Sequence, residues 1–200
     1  LKKIMLFLLF TCIGLTAGSV VMLHFESESS DQKWRDGSLI TRHVGTSVAN
    51  TNATKGLILQ LPLSDALSHM EITDTTISIG YEITKKERMN WVGTADKPID
   101  LSSDAFRKSQ FPQLIMHHTL ALFLAIPNLS SFDLHYSDPM SSLYFTIDRD
   151  DFEAYTPRDI ERATTSANRF NRVVIEDYVL VPSRRNSFLE RFKTHIQVAP

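Results

Sequence analysis

LIMHHTLALFLAI, Leu114 to Ile126, decides the fold. These thirteen residues are nearly all apolar. A helix that crosses a bilayer needs about 20 such residues, so this one is too short to span. It is expected instead as a helix buried on most sides in a globular core, with Pro112 near its start and Pro127-Asn128 at its stop. The flanking segments must then supply its cover.

Immediately downstream the period changes from helical to two. Phe132, Leu134 and Tyr136 alternate with Asp133 and His135. After the turn Ser137-Asp138-Pro139, Leu143, Phe145 and Ile147 alternate with Tyr144 and Thr146. This is the pattern of a β-hairpin with one apolar face. Upstream, Met70 and Ile72, then Ile77, Ile79, Tyr81 and Ile83, flank a turn at Asp74-Thr75-Thr76 and predict another hairpin. Between Ile83 and the central helix, Lys85 to Ser103 is polar and irregular, with Trp91, Gly93 and Pro98, and reads as a long surface loop.

Further out, Asn50-Thr51-Asn52 offers N-caps for a helix running to about Leu61, closed by Pro62, with Leu57, Ile58 and Leu61 as its buried stripe. Leu39 to Val44 is expected as a short strand. Asp148-Arg149-Asp150-Asp151 reads as a helix start, with Asp148 as cap and Asp151 in the first turn, where the helix dipole favours an anion. Thr156 as cap and Pro157 at the first helical position begin a long helix. Ile160, Ala163, Ala167, Phe170, Val174 and Tyr178 form its stripe at spacings of three and four. A last amphipathic stretch runs from Ser187 to Ile196. The economical solution is an α+β fold: an antiparallel sheet of about four strands, from two hairpins, with helices packed on one face.

The N-terminus adds a topology. Lys2 and Lys3 precede 22 uncharged residues, Ile4 to Phe25, and the acidic ESESSD comes next. That run is long enough to span a bilayer, and the flanking charges place the N-terminus in the cytoplasm and residues from Glu26 onward outside. A single-pass signal-anchor is expected. The alternatives are a signal cleaved near Ala17-Gly18-Ser19, releasing a secreted protein, and a lipidated Cys12. The expected divisions are residues 1–25 for the transmembrane segment, 26–38 for a stalk, 39–181 for the extracytoplasmic α+β domain, and 182–200 for a C-terminal amphipathic tail.

Charge and cysteine usage narrow the class. Beyond the apolar segment lie all 23 acids and 19 of the 21 bases, a net charge of −4. That is not the basic footprint of a nucleic-acid binder. Cys12 is the only cysteine, so the exported part has neither disulfide nor thiolate and depends on its core for stability.

His43-Val44-Gly45, LILQLPL from Leu57 to Leu63, ISIGYEI from Ile77 to Ile83 and LALFLAIPNLSSFDLHY from Leu120 to Tyr136 together resemble the bacterial domain of unknown function 4825. The resemblance covers roughly Leu39 to Phe145 and departs at His43, where an aromatic is expected, and at Asp74, where the usual turn glycine is missing. It implies a small exported or membrane-anchored protein of the bacterial envelope, with no established activity and no catalytic residues to carry over. Similar domains are appended to membrane metallopeptidases of the β-lactam-sensor type.

Chemistry-bearing residues point the same way. His117-His118 is the most suggestive pair, but adjacent helical residues project about 100° apart, and ligands from one helix need i,i+4 spacing. His135 on the following strand is the residue that would have to join them in a metal-dependent or other hydrolase. No G-x-S-x-G or Ser-x-x-Lys motif supports nucleophilic catalysis. The expectation is a non-enzymatic binding, accessory or sensor module without cofactor or metal. Its partners would be the membrane and another envelope or membrane protein. Trp91 and the basic pair Arg184-Arg185 are its candidate contact residues.

Overall fold

A computed structural model describes residues 36–84, 88–89 and 99–199, with only the backbone of 88, 89 and 99. The apolar segment, most of the stalk and Trp91 lie outside the described residues. Among the described residues no helix is long and apolar enough to cross a membrane.

The central helix forms as its composition dictates. A wide π turn, Phe106–Gln110, leads into α3, Phe111–Ala125, with Pro112 in its first turn, where a missing N–H costs nothing. Of its fifteen residues, fourteen are buried. Before it come α1, Gly37–Thr41, and α2, Thr51–Ile58. Asn50 caps α2, its side chain accepting from the Ala53 N–H, and Leu57, Ile58 and Leu61 are fully buried. Leu39 to Val44 is not a strand. Asp36 accepts from the Ser38 N–H and starts α1 instead, and Gly37 packs so closely on Ala167, Phe170 and Asn171 that a Cβ there would lie 2.6 Å from the Asn171 side-chain oxygen.

Both hairpins are present. β1, Leu67–Ile72, pairs antiparallel with β2, Thr76–Glu82, around a turn in which the Thr76 N–H donates to Thr73 Oγ1 at 3.0 Å. A small separate ladder joins β3, Arg88–Met89, to β4, Ile99–Asp100. β5, Ser131–Asp138, pairs antiparallel with β6, Ser141–Asp148.

The sheet departs from expectation in two ways: it has five strands, and it is mixed. Its order is β1-β2-β5-β6-β7, and β2 and β5 run parallel from Thr76↔Ser131 to Glu82↔Ser137. A purely antiparallel sheet would need the two hairpins to meet head to tail. Between them, however, α3 carries the chain back along the sheet, so β5 enters from the same end as β2. A parallel neighbour requires such a crossover.

The fifth strand is β7, Ile196–Ala199, antiparallel to β6. The last amphipathic stretch is thus helical only in part: α7 spans Pro182–Phe192, a 3-10 turn comes after it, and from Ile196 the chain is a strand.

Between β6 and α7 the helical region is segmented. α4, Arg149–Tyr155, has Asp148 at its N-cap position, but that side chain makes no capping bond. Arg149 anchors this end instead, donating to the Leu129 and Ile126 carbonyls at 2.7 Å each and lying over the Phe123 ring.

Thr156 ends α4 rather than capping the next helix, and Pro157 is the N-cap of α5, Arg158–Glu161. The expected long helix breaks at Ser166, which is extended (φ −159°) and caps α6, Ala167–Phe170, by accepting from Arg169. A π-helical stretch, Asn171–Val179, completes it. Most of the stripe survives the break: Ile160, Ala163, Phe170, Val174 and Tyr178 are buried, and Ala167 is half-buried.

Burial along the strands shows where the core lies. Ile77, Ile79, Tyr81, Phe132, Leu134, Tyr136, Leu143, Phe145 and Ile147 are buried, while Ser78, Asp133, His135, Tyr144 and Thr146, which alternate with them, are not. One face of the sheet is therefore covered by helices and the other is open, as period-two strands require.

Candidate functional site: a buried histidine pair and an apolar cleft

The histidine pair sits inside the core. α3 turns His118 toward β2, where its Nε2 lies 2.7 Å from the Tyr81 hydroxyl. That hydroxyl also donates to the Pro62 carbonyl at 3.3 Å. Burial lowers His117 to about 3 and pushes the Tyr81 phenol well up. His118 is lowered well below the ordinary value by burial first and by His117 second, against the opposing pull of the Leu114 and Pro62 carbonyls. Both rings are neutral near pH 7. Their centroids are 5.9 Å apart with planes at 65°, as expected for neighbours on a helix.

His135 is elsewhere. It alternates with the buried Leu134 and Tyr136, so it projects from the open face of the sheet, while Tyr81 and His118 meet on the helix side. There its ring stacks on Tyr144 at 4.3 Å between centroids, 6° from parallel. Burial, then the charge of His69, lowers its pKa, and Glu82 opposes. The sheet stands between His135 and the pair, so this fold does not bring the three histidines to one ion. Among the described residues no group of three or more His, Cys, Asp or Glu side chains is placed to hold a metal.

The basic pair at the start of α7 is engaged in structure. Arg184 lies over the Tyr178 ring, 4.7 Å from its centroid. Arg185 donates to the Val179 and Leu180 carbonyls at 3.0 and 3.2 Å and to Gln113 at 3.4 Å, and burial lowers its pKa. It closes the end of the preceding π-helix, whose last carbonyls need donors.

A cleft contains none of the candidate site residues named from the sequence. The turn before α3 contributes Arg107 and Lys108 to it, and α3 contributes Phe111 and Pro112. Leu143 and Ser141 of β6, Leu189 of α7, and Ile196 and Val198 of β7 complete the lining, around a volume of about 360 Å³. Phe111, Pro112 and Leu143 are buried and form the floor, whereas Val198 is 70% exposed at the lip.

Arg107 is the hinge of this corner. It pairs with Asp138, whose side chain is fully buried, and its Nη2 bonds Asp104 at 2.7 Å. Asp138 in turn accepts from the Met140 and Ser141 N–H groups at 2.8 and 3.0 Å, holding the β5–β6 turn. These attractions raise the Arg107 pKa, the Asp104 hydrogen bond first, against desolvation. The Ser-Asp-Pro turn was visible in the sequence, but nothing local links its aspartate to an arginine 31 residues upstream.

No family model, no curated protein and no solved structure matches this chain. The geometry of the site is thus what bears on its role.

Proposed function

We propose that this protein is a membrane-anchored, extracytoplasmic module of a bacterial cell envelope, similar to the domain of unknown function 4825, that acts by binding rather than by turnover. The apolar cleft between α3, α7 and the β6–β7 edge carries this reading. It is a concave, mostly apolar surface with a few polar groups at its margin, which is the usual form of a binding site. The residues best suited to acid–base or metal chemistry support the same view. His117 and His118 are spent inside the core, and His135 lies across the sheet from them. The anchor rests on the 22-residue apolar run behind Lys2 and Lys3.

Two measurements on the full chain test this. Protease added to intact cells is expected to digest the lobe beyond Glu26, and the purified chain in nanodiscs is expected to turn over nothing in an unbiased hydrolase screen. A lobe protected from external protease would refute the topology, and turnover that survives purification would refute the non-enzymatic assignment.

A further inference from the structure

Charge sets apart the surface where the chain enters the described domain, at Asp36 directly before α1. From Gly37 to Ser64 there is no acidic residue, and the bases are Arg42 and Lys55, both exposed. The segments that hold this stretch add no carboxylate. Gly37 donates to Asn171, just past α6, whose one ionisable residue is Arg169. Gly45 donates to Ala125 and Val48 to Asn128, and from Phe111 to Ser130 there is no acid.

The bordering carboxylates are turned to other uses. Asp36 caps α1, accepting from the Ser38 N–H at 2.9 Å, and the chain runs buried from Leu61 to Ser64 before it reaches Asp65. Arg42 and Lys55 form no ion pair among the described residues. This positive surface belongs to a chain whose net charge beyond Phe25 is −4.

Apolar groups stand beside the cations. Val44 is 41% exposed and Leu59 52%. Leu59 continues the helical path of α2 as its C-cap, so Lys55, Gly56 and Leu59 share one sector of about 100°. His43 lies on that sector, its Cε1 3.6 Å from where a Cβ on Gly56 would stand. Contact thus joins Arg42 and Val44 to Lys55 and Leu59 as one patch.

The tether selects what the patch meets. Ten residues, Glu26 to Arg35, separate the apolar run from Asp36. Fully extended, at about 3.5 Å each, they hold Asp36 within about 40 Å of that run. Arg42 comes one short helix later, about 9 Å along its axis. Cations flanking exposed aliphatic side chains suit a bilayer interface, where the charges meet headgroup phosphates and the apolar groups dip below them.

We infer that the patch of Arg42, Val44, Lys55 and Leu59 seats the domain on anionic phospholipid headgroups, on the outer face of the bilayer that holds its anchor. This rests on the anchored reading above. The apolar cleft, at Phe111 and Pro112, lies at the other end of α3 from Ala125, about 20 Å away, so this seating leaves it uncovered.

The test uses the full chain in nanodiscs of phosphatidylglycerol, a fraction of it bearing a diazirine beside the acyl carbonyl. Photolabel is expected on the peptide carrying residues 4–25 and on those carrying 38–46 and 52–60. Arg42→Gln and Lys55→Gln should each cut the label on the two domain peptides about fivefold, the effect of one cation at an anionic surface. Leu59→Asp should abolish it. These side chains are exposed, circular dichroism checks the fold, and label on 4–25 stays constant. Discs and probe of phosphatidylcholine should label 4–25 alone.

Label on 4–25 and on no domain peptide means that the domain stands off the bilayer. Label on other domain peptides means that another face is seated. Label equally strong from phosphatidylcholine, or indifferent to the variants, means that the cations do not select the lipid. Each of these overturns the proposal and leaves the anchored reading standing. An unlabelled 4–25 peptide refutes that reading, and the proposal with it.

Discussion

Acidification should destabilise this protein through His117 and His118, by an amount that the structure sets. Both are fully buried, and burial depresses their folded-state pKa values, His117 to about 3 and His118 well below its ordinary value. In the unfolded chain both titrate near 6.5. Below pH 6.5 the unfolded state therefore takes up protons that the folded state refuses. Stability is greatest above the unfolded value and falls with pH, until His117 protonates in the folded state near 3. Between pH 7 and pH 5 the loss is about 2 kcal/mol per histidine, or about 4 kcal/mol together. That is a large share of a typical stability of about 5–15 kcal/mol. Urea unfolding followed by far-UV circular dichroism at the two pH values measures it. The control is His117→Leu with His118→Met, whose carboxylates and remaining histidines are unchanged and so cancel in the comparison. The wild type should lose about 4 kcal/mol more than this double variant over the interval. Equal losses in the two proteins would show that the pair is not held neutral by the core, and the reasoning would fail.

Tyr81→Phe removes the hydroxyl 2.7 Å from His118 Nε2, strands a buried ring nitrogen, and is expected to cost about 1–3 kcal/mol. In a thermal melt each kcal/mol should appear as a drop of about 2–4 °C, and an unchanged melting temperature would count against the bond. Arg107→Leu leaves the Asp138 carboxylate buried without its cation, a loss of about 3–5 kcal/mol in urea unfolding. Adding Asp138→Asn should recover part of it, and purely additive losses would mean that the two side chains do not interact. Gly80→Ala puts a Cβ 2.9 Å from that of His69, opposite the β1 bulge, and should cost about 1–3 kcal/mol. Because the clash is with the His69 Cβ, combining Gly80→Ala with His69→Gly should relieve it, and a Gly80→Ala protein as stable as the wild type would rule the clash out.

What the sequence made legible was local. Period-two alternation from Phe132 to Ile147 and from Met70 to Ile83 marked both hairpins, because each strand needs one apolar face and a short turn. A nearly all-apolar run too short to span a bilayer reads as a core helix, and α3 is one. The errors arose where two local rules competed. The stretch from Ser187 to Ile196 reads as one amphipathic helix, yet Ile196 already belongs to β7, pairing with Phe145. Ser166 interrupted a helix whose stripe looked continuous, because its hydroxyl caps the next turn more favourably than the ladder would hold it. Leu39 and Ile40 were too few to define a strand against the cap at Asp36. The parallel pairing of β2 with β5 was not legible at all, since it depends on which end of the sheet α3 returns to.

The candidate site obeys the same division. That His117 and His118 could not share an ion was readable from helix geometry, and the fold extends this to His135. β5 must send Leu134 and Tyr136 into the core, so it must send His135 away from it. The cleft could not be read in this way. Its residues come from three stretches, 107–112, 141–143 and 189–198, and each carries an ordinary local explanation as a helix approach, a hairpin arm or a helix-to-strand end. What joins the first two is the Arg107–Asp138 pair, and what joins the third is β7 lying along β6. The apolar cleft is thus assembled by contacts distant in sequence. The residues that stood out in the linear chain, a histidine doublet and an arginine doublet, hold the structure together: His118 on Tyr81, and Arg185 on the end of the π-helix.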